Sequence, residues 1–433
     1  MQGRSNPGGT VEFDPALFFK RGSQWSSLIK NFRKVNRFHT DMAYRKFKPD
    51  CIFTGQEILE NDSVLVAAED GTIEGLISSD EAGQDVQVIS GMISPGFINC
   101  HCHLELSHLK GVIPQKTGLT GFVFSVVTQR HYREEEIIEA IARAEDEMLA
   151  NGIVAVGDIC NNIFTLDQKE KNRLFYYNFI EISGWLPVVA ASRFEKSRSQ
   201  YDEFHRLSPA QHQSSMVPHA PYSVSDALWQ LLSPHFSNKT ITIHNQETSS
   251  EDELFKTGGG DLVGMYEQLH VSNPFFQPSG KSSLQTNLPH LILAKNIILV
   301  HNTFIKEEDL QYCHHHPGPL FFCLCVNANQ YIENALPPLE LIRQYGSRIV
   351  LGTDSLASNR NLSILDEIKT IMHFFPEVPL VEVLQWATLN GAQALELDHI
   401  LGSFQAGKKP GIILIENSHG KTIHKDSTVR RLL

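Results

Sequence analysis

"SPGFINCHCHLEL", residues 94–106, sets two histidines one residue apart just after an apolar run broken only by Pro95 and Gly96. In a strand, side chains alternate between faces, so His101 and His103 point the same way and their imidazoles can converge on one ion. If the run is a buried strand, its end presents half of a metal site. With 20 histidines in the chain an HxH spacing can arise by chance, so the other ligands have to come from elsewhere.

Working outward, short apolar segments alternate with helical stretches, the pattern of βα units and a parallel sheet. Eight strand candidates stand at 91–103, 152–159, 174–182, 214–220, 240–247, 296–302, 320–328 and 348–355. Eight predicts an α/β fold of the closed (β/α)8, or TIM barrel, kind. "REEEIIEAIARAEDEMLANG" (133–152) has helical apolar spacing, an acidic first turn and an Asn151-Gly152 stop; 361–375 behaves similarly. The longer stretch 271–290 reads as a loop able to cover a site. Its "GKSS" is a weak phosphate-loop signal, because Phe275 replaces the glycine such a loop needs.

On either side of this region the texture changes to short strands and turns, with an Asp70-Gly71 hairpin signal. Residues 42–92 and 400–433 are therefore expected to form a composite β-sandwich around a catalytic barrel at 93–399. Residues 1–41 read as a poorly ordered leader, with Met42 as the natural start.

Chemistry in barrel enzymes gathers at the C-terminal ends of the strands. His101 and His103 close the first candidate, His219 the fourth, His244 the fifth, His301 the sixth and Asp354 the eighth. Individually each has an ordinary structural reading; Asp354, for example, could cap the following helix. Jointly they would face one central space, and three histidines with one carboxylate complete a first shell that leaves a position for water.

Bulk composition narrows the function classes. A net charge of -12 argues against a nucleic-acid surface. Seven cysteines without framework spacing fit a reducing compartment, no apolar stretch reaches membrane-span length, and the start lacks a secretory h-region. The expectation is a cytoplasmic protein acting on a small molecule, with no nucleic-acid or membrane partner and with self-association left open.

The set "PGFINCHCHLEL", "PHAPYSVS", "ITIHNQE", "LVHNTF" and "LGTDSLASNRNLSILDE" resembles the amidohydrolase superfamily, in its branch of metal-dependent nucleoside and aromatic-amine deaminases and chlorohydrolases. The likeness runs in order over residues 42 to 417 and is strongest toward S-adenosylhomocysteine and aminodeoxyfutalosine deaminases. It implies His101, His103, His244 and Asp354 as ligands of one divalent metal ion, zinc first and iron second, since no lysine ends strand four as in binuclear relatives. It further implies Glu247 as proton shuttle, His301 and Asp354 as stabilisers of a metal-bound hydroxide, and His219 as a substrate contact. Glu105 is carried with His219 as a candidate substrate contact, although the sequence does not separate that role from a structural one. The implied reaction is hydrolytic deamination of an aminated purine nucleoside or related heteroaromatic amine. The alternatives are a chlorohydrolase or other amidine or lactam hydrolase, and, outside catalysis, a barrel scaffold. An acid at Glu247 favours deamination, because chloride leaves without a proton. Gln246 departs from the branch, where small or apolar residues are usual, and "GKKPGIILI" replaces its common Ala-Asp pair.

Overall fold

The computed structural model describes residues 44–60, 62–418 and 422–433; the expectations for residues 1–41 and Met42 lie outside them. Strands β1 (Tyr44–Lys48), β4 (Ser63–Ala68), β5 (Ile73–Ser78) and β6 (Gln87–Val88) form one sheet in the order β5-β4-β1-β6. A second sheet, β17-β16-β7-β2-β3, takes β2 (Cys51–Phe53), β3 (Ile58–Glu60) and β7 (Met92–Pro95) from the first segment and β16 (Ile412–Glu416) and β17 (Thr428–Arg431) from the last. One apolar cluster joins residues of both sheets, among them Phe47, Leu65, Ile93 and Leu414. Between β4 and β5 the chain turns at Asp70-Gly71, where Gly71 adopts a φ of +85°.

Stretch 91–103, expected as one strand, is two. Met92–Pro95 pairs antiparallel with β16, whereas β8 (Phe97–Cys102) belongs to a different sheet. The break falls at Gly96, where an added Cβ would lie 2.3 Å from Val154 Cγ1 and 2.9 Å from the Pro410 carbonyl. Only glycine lets the chain cross between the sheets there.

The remaining strands form two parallel four-stranded sheets with helices between successive strands, a TIM-barrel-type α/β arrangement. One sheet runs β8, β9 (Ile153–Cys160), β10 (Phe175–Ile182), β11 (His212–Pro218); the other runs β12 (Thr240–Asn245), β13 (Asn296–His301), β14 (Leu320–Leu324), β15 (Arg348–Leu351). Strands β8, β9, β12 and β13 are buried along their whole length, which is why they read as near-continuous apolar runs. Their edges meet at two places. His244 N donates to the His219 carbonyl at 3.0 Å beside β11 and β12, and Thr353 N and Asp354 N donate to the His101 carbonyl at 3.1 and 3.0 Å beside β8 and β15.

Helix Glu134–Ala150 has three glutamates in its first turn and buries Ile137, Ala140, Ile141, Ala144 and Met148. It stops at Asn151 and at Gly152, whose φ is +76°, as the sequence predicted. Helix Ile364–Phe374 is capped by Ser363, whose side chain accepts from Asp366 N. "GKSS" is no phosphate cradle. Ser282 caps the short helix Ser283–Asn287, and the hydroxyls of Ser282 and Ser283 donate to the carboxylates of Asp309 and Glu251, surroundings that repel an anion. The seventh strand candidate also ends early, since Val326–Ile332 is helical.

Candidate active site

His101 lies one residue before the end of β8 and His103 just after it; His244 lies one residue before the end of β12, His301 ends β13, and Asp354 follows β15. Gly352 makes room for the last of these, since a Cβ there would stand 2.8 Å from the Cβ of His101. Gln246, His301, Asn302 and Asp354 all have left-handed backbone, with φ between +45° and +74°. For non-glycine residues this costs about 1–3 kcal/mol each and concentrates where a side chain has to be aimed.

The aimed atoms converge. His103 Nε2 lies 3.2 Å from His101 Nε2 and 3.3 Å from His244 Nε2, and Asp354 Oδ1 lies 3.5 and 3.4 Å from the first two. A tetrahedral ion about 2.05 Å from each donor would set donor–donor edges of roughly 3.3 Å, close to these four separations, and the ligating atoms of His101, His103 and His244 all lie within 4.8 Å of one another. His244 Nδ1 donates to the His219 carbonyl at 2.7 Å, which leaves Nε2 with its lone pair toward the cluster. The ligating atoms of His101, His301 and Asp354 also lie within 4.8 Å of one another, so His301 borders the same space.

Electrostatics prepare these groups for a cation. Burial is the main cause that holds His101, His103 and His244 neutral, His103 with a pKa of about 3, so their lone pairs are free at pH 7. Burial alone would raise the Asp354 carboxyl, but its place among the rings of His101, His103 and His301 holds it well below the usual range. Ser358 Oγ donates to the other Asp354 oxygen.

Beside this cluster a cavity of about 440 Å³ opens, lined by His103, His219, His244, Glu247, His301 and Asp354 at one end, a volume suited to a small organic ligand. Glu247 Oε1 lies 3.6 Å from His301 Nε2; burial first, then the Asp354 and Glu333 charges, hold its carboxyl well above the ordinary range. The tautomer of His301 follows from Asn329. The Asn329 amide donates to the His301 carbonyl, so its oxygen accepts from Nδ1–H at 2.8 Å, and Nε2 is left as an acceptor facing the cavity. His219 lines the cavity with its Nδ1 2.8 Å from Ser223 Oγ, and its pKa falls to about 4, chiefly through burial.

Glu105 also lines the cavity. Its Oε2 accepts from Asn161 N at 2.9 Å and Asn162 N at 3.1 Å, and burial raises its pKa to about 7. Far from the histidines the wall is apolar: Leu119, Phe122, Met265 and Val271, with Trp185 stacked between Tyr266 at 5.0 Å and Phe276 at 4.9 Å. Val271, the first residue of stretch 271–290, lines the cavity, and Phe276 of the same stretch packs on Trp185 behind the wall. Gln246 faces away from the reaction space: its Nε2 donates to Asp309 at 2.7 Å and Asp252 at 3.2 Å.

Two further carboxylates stand at strand ends. Asp158, in β9, accepts from Leu104 N at 2.9 Å and from Lys169 Nζ at 2.6 Å, which pins the turn that follows His103. Glu181, one residue before the end of β10, lines the cavity beside Glu105. The positional signal that picked out the histidines was present for both in "GIVAVGDI" and "LFYYNFIEI".

Buried strand-end histidines and a carboxylate whose ligating atoms converge, beside a cavity that holds another carboxyl, are the features of a metal-dependent hydrolase. The chain belongs to the amidohydrolase family, whose model matches residues 92–431. Among curated relatives, an adenosine deaminase of Helicobacter pylori is 25% identical over 327 residues, 74% of this chain and 78% of that protein. A 5-methylthioadenosine/S-adenosylhomocysteine deaminase of Thermoanaerobacter pseudethanolicus is 24% identical over 382 residues, 83% and 82% of the two chains. Among solved structures, Helicobacter pylori aminofutalosine deaminase in complex with methylthio-coformycin superposes with a TM-score of 0.75 at 21% identity, covering 90% of this chain and 100% of that one. Atrazine chlorohydrolase of Arthrobacter aurescens complexed with zinc gives 0.67 at 15% identity, covering 88% and 89%. Both likenesses bear on the fold, the TIM-barrel type described above.

Proposed function

We propose that this hydrolase is a mononuclear deaminase of an aminated purine nucleoside or related heteroaromatic amine, with His101, His103, His244 and Asp354 holding one divalent ion, zinc first and iron second. The observation that carries the reading is Glu247, a buried carboxyl outside the donor cluster that faces both His301 and the cavity. A divalent ion held there supplies a nucleophilic water at neutral pH by lowering its pKa from 15.7 to about 7.

The chain's own residues handle the protons. Glu247 takes one from the attacking water and delivers it to the ring nitrogen next to the carbon under attack; the proton left on the new hydroxyl then passes to the amine as the C–N bond breaks, so ammonia departs and the ring keeps the oxygen. His301 Nε2, kept unprotonated by its Asn329 partner, orients the water, and Asp354 stabilises the charge that develops from the opposite side. His219 and Glu105 contact the substrate. The apolar wall around Phe122 and Trp185 suits a substituent beyond the base, in keeping with relatives named for thioether-bearing adenosines.

In this reading the two four-stranded sheets make one closed (β/α)8 ring over 93–399, and segments 42–92 and 400–433 make a β-sandwich that also takes in Met92–Pro95. All seven cysteines are buried and lack the spacing of a disulfide framework, which supports a reducing, cytoplasmic setting, and no helix among the described residues is long and apolar enough to cross a membrane. The chlorohydrolase alternative draws on the fold likeness to atrazine chlorohydrolase, but Glu247 offers a proton that chloride does not need. Ammonia release from a panel of adenine nucleosides, pterins and aminotriazines, with zinc or iron supplied, tests the reading. Deamination of at least one nucleoside is expected; release of chloride or alkylamine with no ammonia overturns it, and metal analysis finding no bound ion would return the scaffold reading.

A further inference from the structure

Glu181 is almost fully buried, and its two oxygens differ. Oε2 accepts from Asn161 Nδ2 at 2.9 Å. Oε1 is buried with no hydrogen-bond partner among the described residues. It lies 3.5 Å from His244 Nδ1, but that N–H is already directed at the His219 carbonyl. A buried acceptor with no donor costs about 1–3 kcal/mol, more for a charged group, and this one belongs to a side chain that lines the cavity. Such an atom points to a donor that arrives with a ligand.

Asn161 joins it to a second acceptor. Its backbone N–H is bonded to Glu105 Oε2 and its side-chain amide to Glu181 Oε2, so a single residue fixes the spacing of the two carboxyls. Each keeps one oxygen outside these bonds. Two carboxyls fixed by one residue, each with an oxygen to spare, match two hydroxyls on adjacent carbons. An ammonium group is the poorer match, because Arg130 and Arg193 line the same cavity and would repel it.

We infer that Glu105 and Glu181, bridged by Asn161, form a subsite for a vicinal diol on the substrate, the 2′- and 3′-hydroxyls if the substrate is a nucleoside. The inference rests on the proposed deaminase reading and names the part of the substrate that this end of the cavity recognises. Glu105 and Glu181 are binding residues here, and Asn161 is a positioning residue.

The test pairs chemical groups with side chains. Wild type, Glu105→Gln and Glu181→Gln, each loaded with zinc, are assayed with an adenine ribonucleoside that the wild type accepts and with its 2′-deoxy, 3′-deoxy and 2′,3′-dideoxy forms. Both substitutions keep an oxygen for the Asn161 donors, so folding should survive; circular dichroism and zinc content check this. Wild type should lose ten- to hundredfold in kcat/KM for each missing hydroxyl, mostly through KM. Each variant should lose a similar factor on the ribonucleoside, and the ratio of wild type to variant should fall toward one on the dideoxy form. Equal use of ribo- and deoxy forms by the wild type overturns the diol subsite while leaving deamination intact. Loss of zinc from Glu181→Gln with Glu181 acting through His244 also overturns it, in favour of a metal-supporting role. If no nucleoside yields ammonia, the deaminase reading falls first and takes the subsite with it.

Discussion

Glu247 and His103 line one cavity, and the proposed mechanism gives them different duties that substitution separates. Glu247→Gln keeps the shape and the cation cluster while removing the proton carrier, so bound zinc should match the wild type and turnover should fall about 10²–10⁴-fold. His103→Ala removes one of four donors, so zinc content and turnover should fall together; metal analysis beside an ammonia assay reads both. Wild-type turnover by Glu247→Gln would remove the shuttle role. At this scale the sequence was informative wherever a polar residue interrupts an apolar strand, as His101, His244 and His301 do. Glu181 and Asp158 interrupt strands in the same way, and attention to histidine passed over them. The partners that set tautomers and hold carboxyls, Asn329, Ser358 and Asn161, come from helices and loops, where an Asn or Ser is too common to carry a signal.

Elements are held in place by groups that the sequence does not pair. Helix Ser249–Thr257 starts just after the left-handed Gln246, and Glu251 in its first turn ties it to the start of helix Ser283–Asn287: its Oε1 accepts from Gln246 N at 3.0 Å and Ser283 Oγ at 2.6 Å. Its Oε2 is buried without a partner, and burial is the main cause that pushes its pKa from 4.5 to about 8. The folded protein therefore holds a proton that the unfolded chain releases between those values, and stability from this group falls as pH rises through that window. Glu251→Gln mimics the protonated form. Urea midpoints should decline less from pH 5 to pH 8.5 in the variant than in the wild type, and equal slopes would show that Glu251 does not hold that proton. Element boundaries were least legible where two sheets share one apolar run. Residues 91–103 carry no polar residue at the point of division, and the steric need at Gly96 depends on Val154 and Pro410, distant in sequence.

For the whole molecule, the alternation of apolar strands and helices revealed the α/β class because buried parallel strands have no polar face to dilute the pattern. The two terminal segments were likewise readable as β structure, although pairing of β7 with β16 joins residues more than 300 positions apart and leaves no local trace. Stripping the metal with a chelator should lower the melting temperature and restoring zinc should raise it, since a ligand that binds only the folded state stabilises it by RT ln(1 + [L]/Kd), about 4 kcal/mol at a thousandfold excess over Kd. Calorimetry with and without zinc measures this, and an unchanged melting temperature would count against a cation in the cluster. The cluster's membership adds a consequence. His101 and His103 lie in or just after β8 of one sheet, and His244 and Asp354 in or just after strands of the other, so a cation held as proposed would act as a rivet between the two. Packing changes far from the cavity that shift one half against the other would alter the coordination polyhedron itself, and so the preference between zinc and iron, without touching a ligand.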